Sequence, residues 1–301
     1  MKAVLLLAHG TPNTLGEMAE YLGKVTGGRP LPQSVVEELQ HRYAEIGLTE
    51  TPGAEPPPLT KWTLRQAELL RAALGIPVYV GMRNWHPYIA DIVAQMKADG
   101  VTTATVICLA PQTSRTSIGL YKKALLAAAG DAFAIHFIEG WAAQPQLIAA
   151  FAERLRTAWI AACAAANAKL PVLFTAHSVP TRTVEGENPD PYAVEARHTA
   201  ELVAAQIPEI KKWVFAFQSQ GVAGGPWIGP TVEETLTALK EDGERGVVIQ
   251  PVGFVCDHVE VLYDIDIAFQ KTAEDLGLQL FRAESLNDSP LLTAALVALA
   301  Q

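Results

Sequence analysis

The chain has 301 residues, half of them apolar and 18% charged, with a formal net charge of −9. This composition supports a sizeable core and excludes a disordered chain, and the length suits two ordinary domains or one large one. The negative balance argues against nucleic acid or an anionic membrane surface as the main partner; an anionic ligand needs a local cluster of Arg and Lys.

Short β-type runs alternate with helical ones along the chain. "AVLLLA" (3–8) is followed by a helical stretch at 34–46, "IPVYVGM" (76–82) by one at 87–97, "TATVICLAP" (103–111) by one at 117–129, and "AFAIHFI" (132–138) by one at 145–166. The second half restarts with "PVLFTA" and a helix at 192–207. "KWVFAF" then precedes a helix at 231–240, "GVVIQP" precedes one beginning near Asp257, and "LGLQLF" leads to a last helix at 290–300. Continuous apolar strands separated by helices indicate parallel sheets covered on both faces. The first run is shorter than a signal-peptide core, and no run approaches the ~18 apolar residues that span a bilayer. A cytoplasmic protein without an integral membrane segment is expected. Cys108, Cys163 and Cys256 are far apart in apolar surroundings and form no CxxC. They read as buried thiols in a reducing compartment.

Two stretches echo each other. "VLLLAHGTP" (4–12) and "VLFTAHSVP" (172–180) are both apolar runs that end in Ala-His and break at a proline. "MKADGVTTATVICLAP" and "LKEDGERGVVIQP" form a second pair, each a helix end, an Asp-Gly turn and a strand. The glycine after each helix suits a left-handed cap. We read two similar α/β halves whose strand carboxyl ends face a shared cleft, the usual ligand position in such sheets. His9 and His177 then sit at equivalent points. The irregular stretch "GLTETPGAEPPPLTK" (47–61) reads as a loop, either a lid or an inert excursion.

Three features could carry chemistry. His177 ends a strand, as a reactive side chain or a satisfied turn histidine. "PVGFVCDHVEVLYDID" (251–266) runs from a strand into a dense set of ionisable groups. If it is helical, Glu260 and Asp264 share a face, Val259, Leu262 and Ile265 point into the core, and Asp257 caps the helix. "FQSQGVAGGPWIGP" (217–230) is a glycine-rich turn with Trp227, suited to a flat apolar ligand or to a plain turn, and it lacks a phosphate-loop pattern. Imidazole plus carboxylate is a sparse ligand set for ferrous iron, fit for a metal that must be handed on.

"TAHSVP", "DPY" (190–192), "QSQG…GPWIGP" and "PVGFVCDHVEVLYDID", with the N-terminal "AHGTP", "HRYAEIG" and "LAPQTSRTSIGLYKKAL", resemble the ferrochelatase family over nearly the full length. The resemblance implies two Rossmann-like halves, residues 1–143 completed by a C-terminal helix at 285–301 and residues 144–284, each a parallel sheet flanked by helices. It implies insertion of ferrous iron into a porphyrin, with iron as substrate and no permanently bound cofactor. His177 matches the family's active-site histidine, as proton acceptor, metal ligand or both. Glu260 matches its partner glutamate, as ligand and proton relay, and Asp264 would be the next carboxylate on the metal's path. Arg42, Tyr43, Tyr121, Trp227 and Arg29 are the matching or nearby substrate contacts. His9 stands where short bacterial relatives usually place a tyrosine, so it either ligates product iron or only packs near the ring.

Thr26 stands where relatives often have an arginine that meets a propionate, and Ala268 where they have a further carboxylate. The substrate expected is coproporphyrin III, with protoporphyrin IX as the alternative. Rival classes are a non-catalytic porphyrin or haem carrier, a chelatase for another tetrapyrrole, and a phosphate-ligand α/β enzyme.

Overall fold

The computed structural model describes residues 1–221 and 225–301. The first half runs β1 (Lys2–Ala8), α1 (Met18–Val25), α2 (Gln33–Glu45), α3 (Pro58–Leu74), β2 (Val78–Met82), α4 (Ile89–Ala98), β3 (Thr103–Cys108), α5 (Ile118–Ala129) and β4 (Ala134–Ile138). Then come α6 (Pro145–Ala166), β5 (Val172–His177), α7 (Thr181–Val184), α8 (Tyr192–Ala205), β6 (Trp213–Gln218), α9 (Val232–Glu241) and β7 (Gly246–Pro251). The chain closes with α10 (Val259–Leu262), a π-helical segment Asp264–Phe269, α11 (Gln270–Asp275), β8 (Gln279–Arg282) and α12 (Pro290–Ala300).

Among the described residues two four-stranded sheets form, ordered β2-β1-β3-β4 and β6-β5-β7-β8, and every pairing between their strands is parallel. The orders are the same, so β1 and β5 are equivalent central strands and the internal repeat is structural. Gly100 and Gly243, after α4 and α9, both take left-handed backbone, as the Asp-Gly echo predicts.

Apolar runs suit these strands because both faces are covered. Along β1 the two-residue period sends Val4, Leu6 and Ala8 into one core and Ala3, Leu5 and Leu7 into another. The first core joins the two halves: Val4, Leu6 and Val80 share it with Val172, Phe174 and the α6 residues Phe151, Leu155 and Trp159. α12 closes it, packing on α3, α6 and β3. The opposite faces are covered by α4 and α5 on one sheet, and by α9 with the π segment and α11 on the other. Cys108 and Cys256 are buried, Cys163 is partly so, and all three are free thiols.

Two readings need correction. The stretch 47–61 is not loop throughout: Pro58 starts α3, because a proline costs nothing in a first helical turn whose N–H groups lack partners. The stretch after Asp257 is not one regular helix. After the single turn of α10 the chain widens into a π segment, so Val261 and Ile265 enter the core while Val259 packs toward the first half. The N-cap is His258, without a side-chain cap bond, and Asp257 is engaged elsewhere.

Candidate active site at the strand ends

β5 delivers His177 at its last residue. Tyr192 on α8 donates to the His177 carbonyl at 3.0 Å, and the next residue, Ser178, donates through its backbone N–H to the Gln218 carbonyl at 2.6 Å. His177 Nδ1 bonds the Ser178 carbonyl, which aims Nε2 at Glu260 Oε1, 3.3 Å away. Both ring nitrogens thus face acceptors, a carbonyl and a carboxylate, so both must carry protons and the ring is an imidazolium. Burial by itself lowers the pKa of His177, but the charge and hydrogen bond of Glu260 outweigh it and carry the group to about 9. Burial likewise pushes Glu260 up, and the opposing pull of His177 and His258 holds it well below the usual carboxylate range.

Glu260 is further fixed through its backbone: Gln218 Nε2 donates to its carbonyl at 2.6 Å while Gln218 Oε1 accepts from Thr175 Oγ1 at 2.7 Å. His258 Nε2 lies 3.5 Å from the second carboxylate oxygen, Oε2, so the carboxylate sits between two imidazoles. Asp264 is buried, bonded by Ser219 Oγ and 3.6 Å from Arg42 Nη1. Burial dominates there and raises its pKa to about 6. Arg42 also pairs with Glu38 and lies over the Tyr263 ring. The Trp227 ring stands 6.3 Å from that of His177. Val222, Ala223 and Gly224 of the glycine-rich turn lie outside the described residues.

The facing wall comes from the first half. Tyr21, Tyr43 and Trp85 pack with Met18, Leu22 and Val36, and Val259 closes against them. His9 directly follows β1. Asn84 Nδ2 lies 3.0 Å from its Nε2, and the Gly10 carbonyl and Tyr21 hydroxyl lie 3.1 and 3.2 Å from Nδ1. Nε2 therefore accepts and Nδ1 donates, leaving a neutral ring, and burial lowers its pKa. Gly10 makes this corner possible: its φ is +88°, and a Cβ would lie 2.8 Å from the Trp85 nitrogen.

Of the residues singled out from sequence, His177, Glu260, Asp264, Arg42 and Trp227 converge, and His9 and Tyr43 lie in or behind the opposite wall. Tyr43 is buried and hydrogen-bonded to Thr11 and Tyr21. Tyr121 is 5% exposed and packs in the α4–α5 core with Ile118 and Leu125, its hydroxyl within electrostatic reach of Tyr21 and Glu260. Arg29 does not join them: it is exposed, with its Nε on the Thr26 carbonyl. Sequence reasoning missed His258, Asn84 and Tyr21. His258 is the extended residue that caps the helical turn carrying Glu260, which brings the two side chains together.

Residues 1–301 match the family model described as Ferrochelatase. The chain belongs to the ferrochelatase family. It is 58% identical to a ferrochelatase of Acidobacterium capsulatum, covering 99% of this chain and 93% of that one. It is 33% identical to a coproporphyrin III ferrochelatase of Geobacillus kaustophilus, covering 97% and 93%. Among solved structures it is similar to SirB from Bacillus subtilis with Fe3+, at a TM-score of 0.59 and 13% identity over 99% of this chain and 93% of that one. CbiX, the terminal enzyme of sirohaem biosynthesis in denitrifying bacteria, gives 0.53 and 14% over 98% and 96%. These two share the two-sheet chelatase fold. This ferrochelatase is a porphyrin metal chelatase of haem biosynthesis, with a porphyrin and iron as substrates. Among the described residues no helix is long and apolar enough to cross a membrane.

Proposed function

We propose that the enzyme inserts ferrous iron into coproporphyrin III to give coprohaem, with the His177–Glu260 pair as its working centre. The reaction exchanges one Fe2+ for the two pyrrole N–H protons of the ring. The observation that carries the reading is the 3.3 Å contact between His177 Nε2 and Glu260 Oε1 at the strand ends. Glu260 receives the cation beside His258, and Asp264 lies one step outward on its path. A cation arriving at Glu260 weakens the hold of that carboxylate on the His177 proton. His177 then sheds the proton and becomes a ligand, an acceptor for a pyrrole proton, or both in turn. Glu260 relays the released protons outward. Trp227 supplies an apolar surface for the macrocycle.

His9 addresses the ring from the other wall as a neutral imidazole. Both of its nitrogens are held by Asn84, Gly10 and Tyr21, which favours a packing and hydrogen-bonding role over coordination of the product iron. Iron here is a substrate, and we assign no permanently bound cofactor.

Relatives named coproporphyrin III ferrochelatase match nearly the whole chain at 32–33% identity and support the tetrapropionate substrate. Protoporphyrin IX is the second reading, favoured by Thr26 and by Arg29, whose guanidinium is turned back onto its own turn. Anaerobic assays offering the two porphyrins side by side decide between them. A higher kcat/KM for coproporphyrin III supports the first reading and the reverse supports the second. Tight porphyrin binding with insertion into neither would overturn both and leave a carrier.

A further inference from the structure

We propose that Asn287 and Arg282 form a bracket that positions the segment carrying His258, Glu260 and Asp264. The inference rests on the reading that Glu260 and Asp264 face incoming iron. That segment has little regular structure of its own, a single helical turn followed by a π segment. Both of its ends are nonetheless tied down.

At the first end, Asp257 N donates to Asn287 Oδ1 at 2.9 Å, and Asn287 Nδ2 donates to Asp257 Oδ2 at 2.9 Å. One amide side chain thus reads both the backbone and the carboxylate of the residue before His258. At the second end, Arg282 grips Asp266 with its fork, Nε to Oδ1 at 2.6 Å and Nη2 to Oδ2 at 2.9 Å. Its remaining Nη1 lies 3.5 Å from Asp257 Oδ1, which joins the two ends. A planar guanidinium can hold two carboxylates in fixed register; an ammonium cannot.

The bracket is itself anchored. Asn287 N donates to the Val255 carbonyl at 3.0 Å, and Gln66 Nε2 on α3 donates to the Asn287 carbonyl at 2.8 Å. Asn287 has a φ of +47°, a left-handed conformation that asparagine tolerates better than most residues. The carboxylates of one half are therefore referenced to a helix of the other. Neither Asn287 nor Arg282 lies within the shell of contacts around His177, so both act through the segment as positioning residues.

The experiment compares steady-state iron use with porphyrin binding. Asn287→Gly keeps the left-handed backbone and removes only the amide. It is expected to lower kcat/KM for ferrous iron about 10- to 100-fold, the usual effect of losing an outer hydrogen-bonding partner. The Kd for porphyrin, read by fluorescence quenching, is expected to stay within about twofold by the same reasoning. Asn287→Asp places two carboxylates together and should be worse, whereas Asp257→Asn with Asn287→Asp exchanges the groups and should recover most of the loss. Arg282→Lys gives an independent reading on a variant that keeps the charge.

Wild-type iron kinetics in Asn287→Gly and Arg282→Lys would overturn the bracket, as would failure of the exchange to improve on Asn287→Asp. Glu260→Gln is run in parallel. If it leaves iron use unchanged, the reading of Glu260 fails; if it abolishes iron use while the bracket variants do not, only the bracket fails.

Discussion

His9 and His177 leave equivalent strands at equivalent points, yet one ring is neutral and the other charged. The difference lies in their partners. Asn84 offers a donor to His9, whereas Glu260 and the Ser178 carbonyl offer only acceptors to His177. A duplicated element thus supplies two walls of one cleft with different chemistry: a charged pair on one and a hydrogen-bonded neutral imidazole on the other.

The neutral ring of His9 leads to a spectroscopic prediction. Coordination through Nε2 would require the Asn84 bond to break. The absorption spectrum of the product complex is therefore expected to be the same in wild type and His9→Ala. A changed Soret band in the variant would show that His9 reaches the iron after all.

The charged pair leads to a stability prediction. The Glu260 carboxylate lifts His177 from the ordinary imidazole value of 6.5 to about 9, so its contribution is fully present below pH 6.5 and is lost as pH rises through 9. Glu260 is shifted the other way, and its contribution is lost as pH falls below the ordinary carboxylate range. Urea midpoints should fall between pH 6.5 and 9 in wild type and change less in His177→Asn. Parallel profiles would show that the pair does not couple to folding.

Asp264 is held in the fold between Ser219 and Arg42 without touching His177. Asp264→Asn keeps the volume and removes the charge. We expect the KM for ferrous iron to rise about tenfold with kcat nearly kept, as for loss of a group outside the reacting centre. A fall in kcat at unchanged KM would place Asp264 in the chemical step instead.

Gly10 is required by the corner after β1. Its φ of +88° and the 2.8 Å approach of a Cβ to the Trp85 nitrogen both act against any side chain. Gly10→Ala should cost about 1–3 kcal/mol in chemical unfolding. A cost below about 0.5 kcal/mol, the range of an ordinary surface change, would mean that the corner relaxes freely.

The repeat, the eight strands of the described residues and the helices at Pro145–Ala166 and Pro290–Ala300 were legible because parallel strands covered on both faces leave unbroken apolar runs. The boundary at Pro58 was hidden because a proline cluster reads as loop until its last member is recognised as a helix start. His177 and Glu260 stood out as chemistry at a strand end and just beyond one. Asn84 and Asn287 did not, since an asparagine far away in sequence declares no partner. The helix assumed through Asp264 failed for a related reason: the widening at Tyr263, whose carbonyl accepts from Ala268, is set by packing of Val261 and Ile265 rather than by local propensity.

The most direct test of the account is single-turnover insertion of ferrous iron under anaerobic conditions by wild type, His177→Ala and Glu260→Gln, with porphyrin affinity measured on the same samples. The account predicts that both variants bind porphyrin as wild type does and that insertion falls at least about 100-fold in each, as expected when a positioned acid–base group is removed. Insertion at near wild-type rates in either variant would contradict the assignment of the His177–Glu260 pair as the working centre.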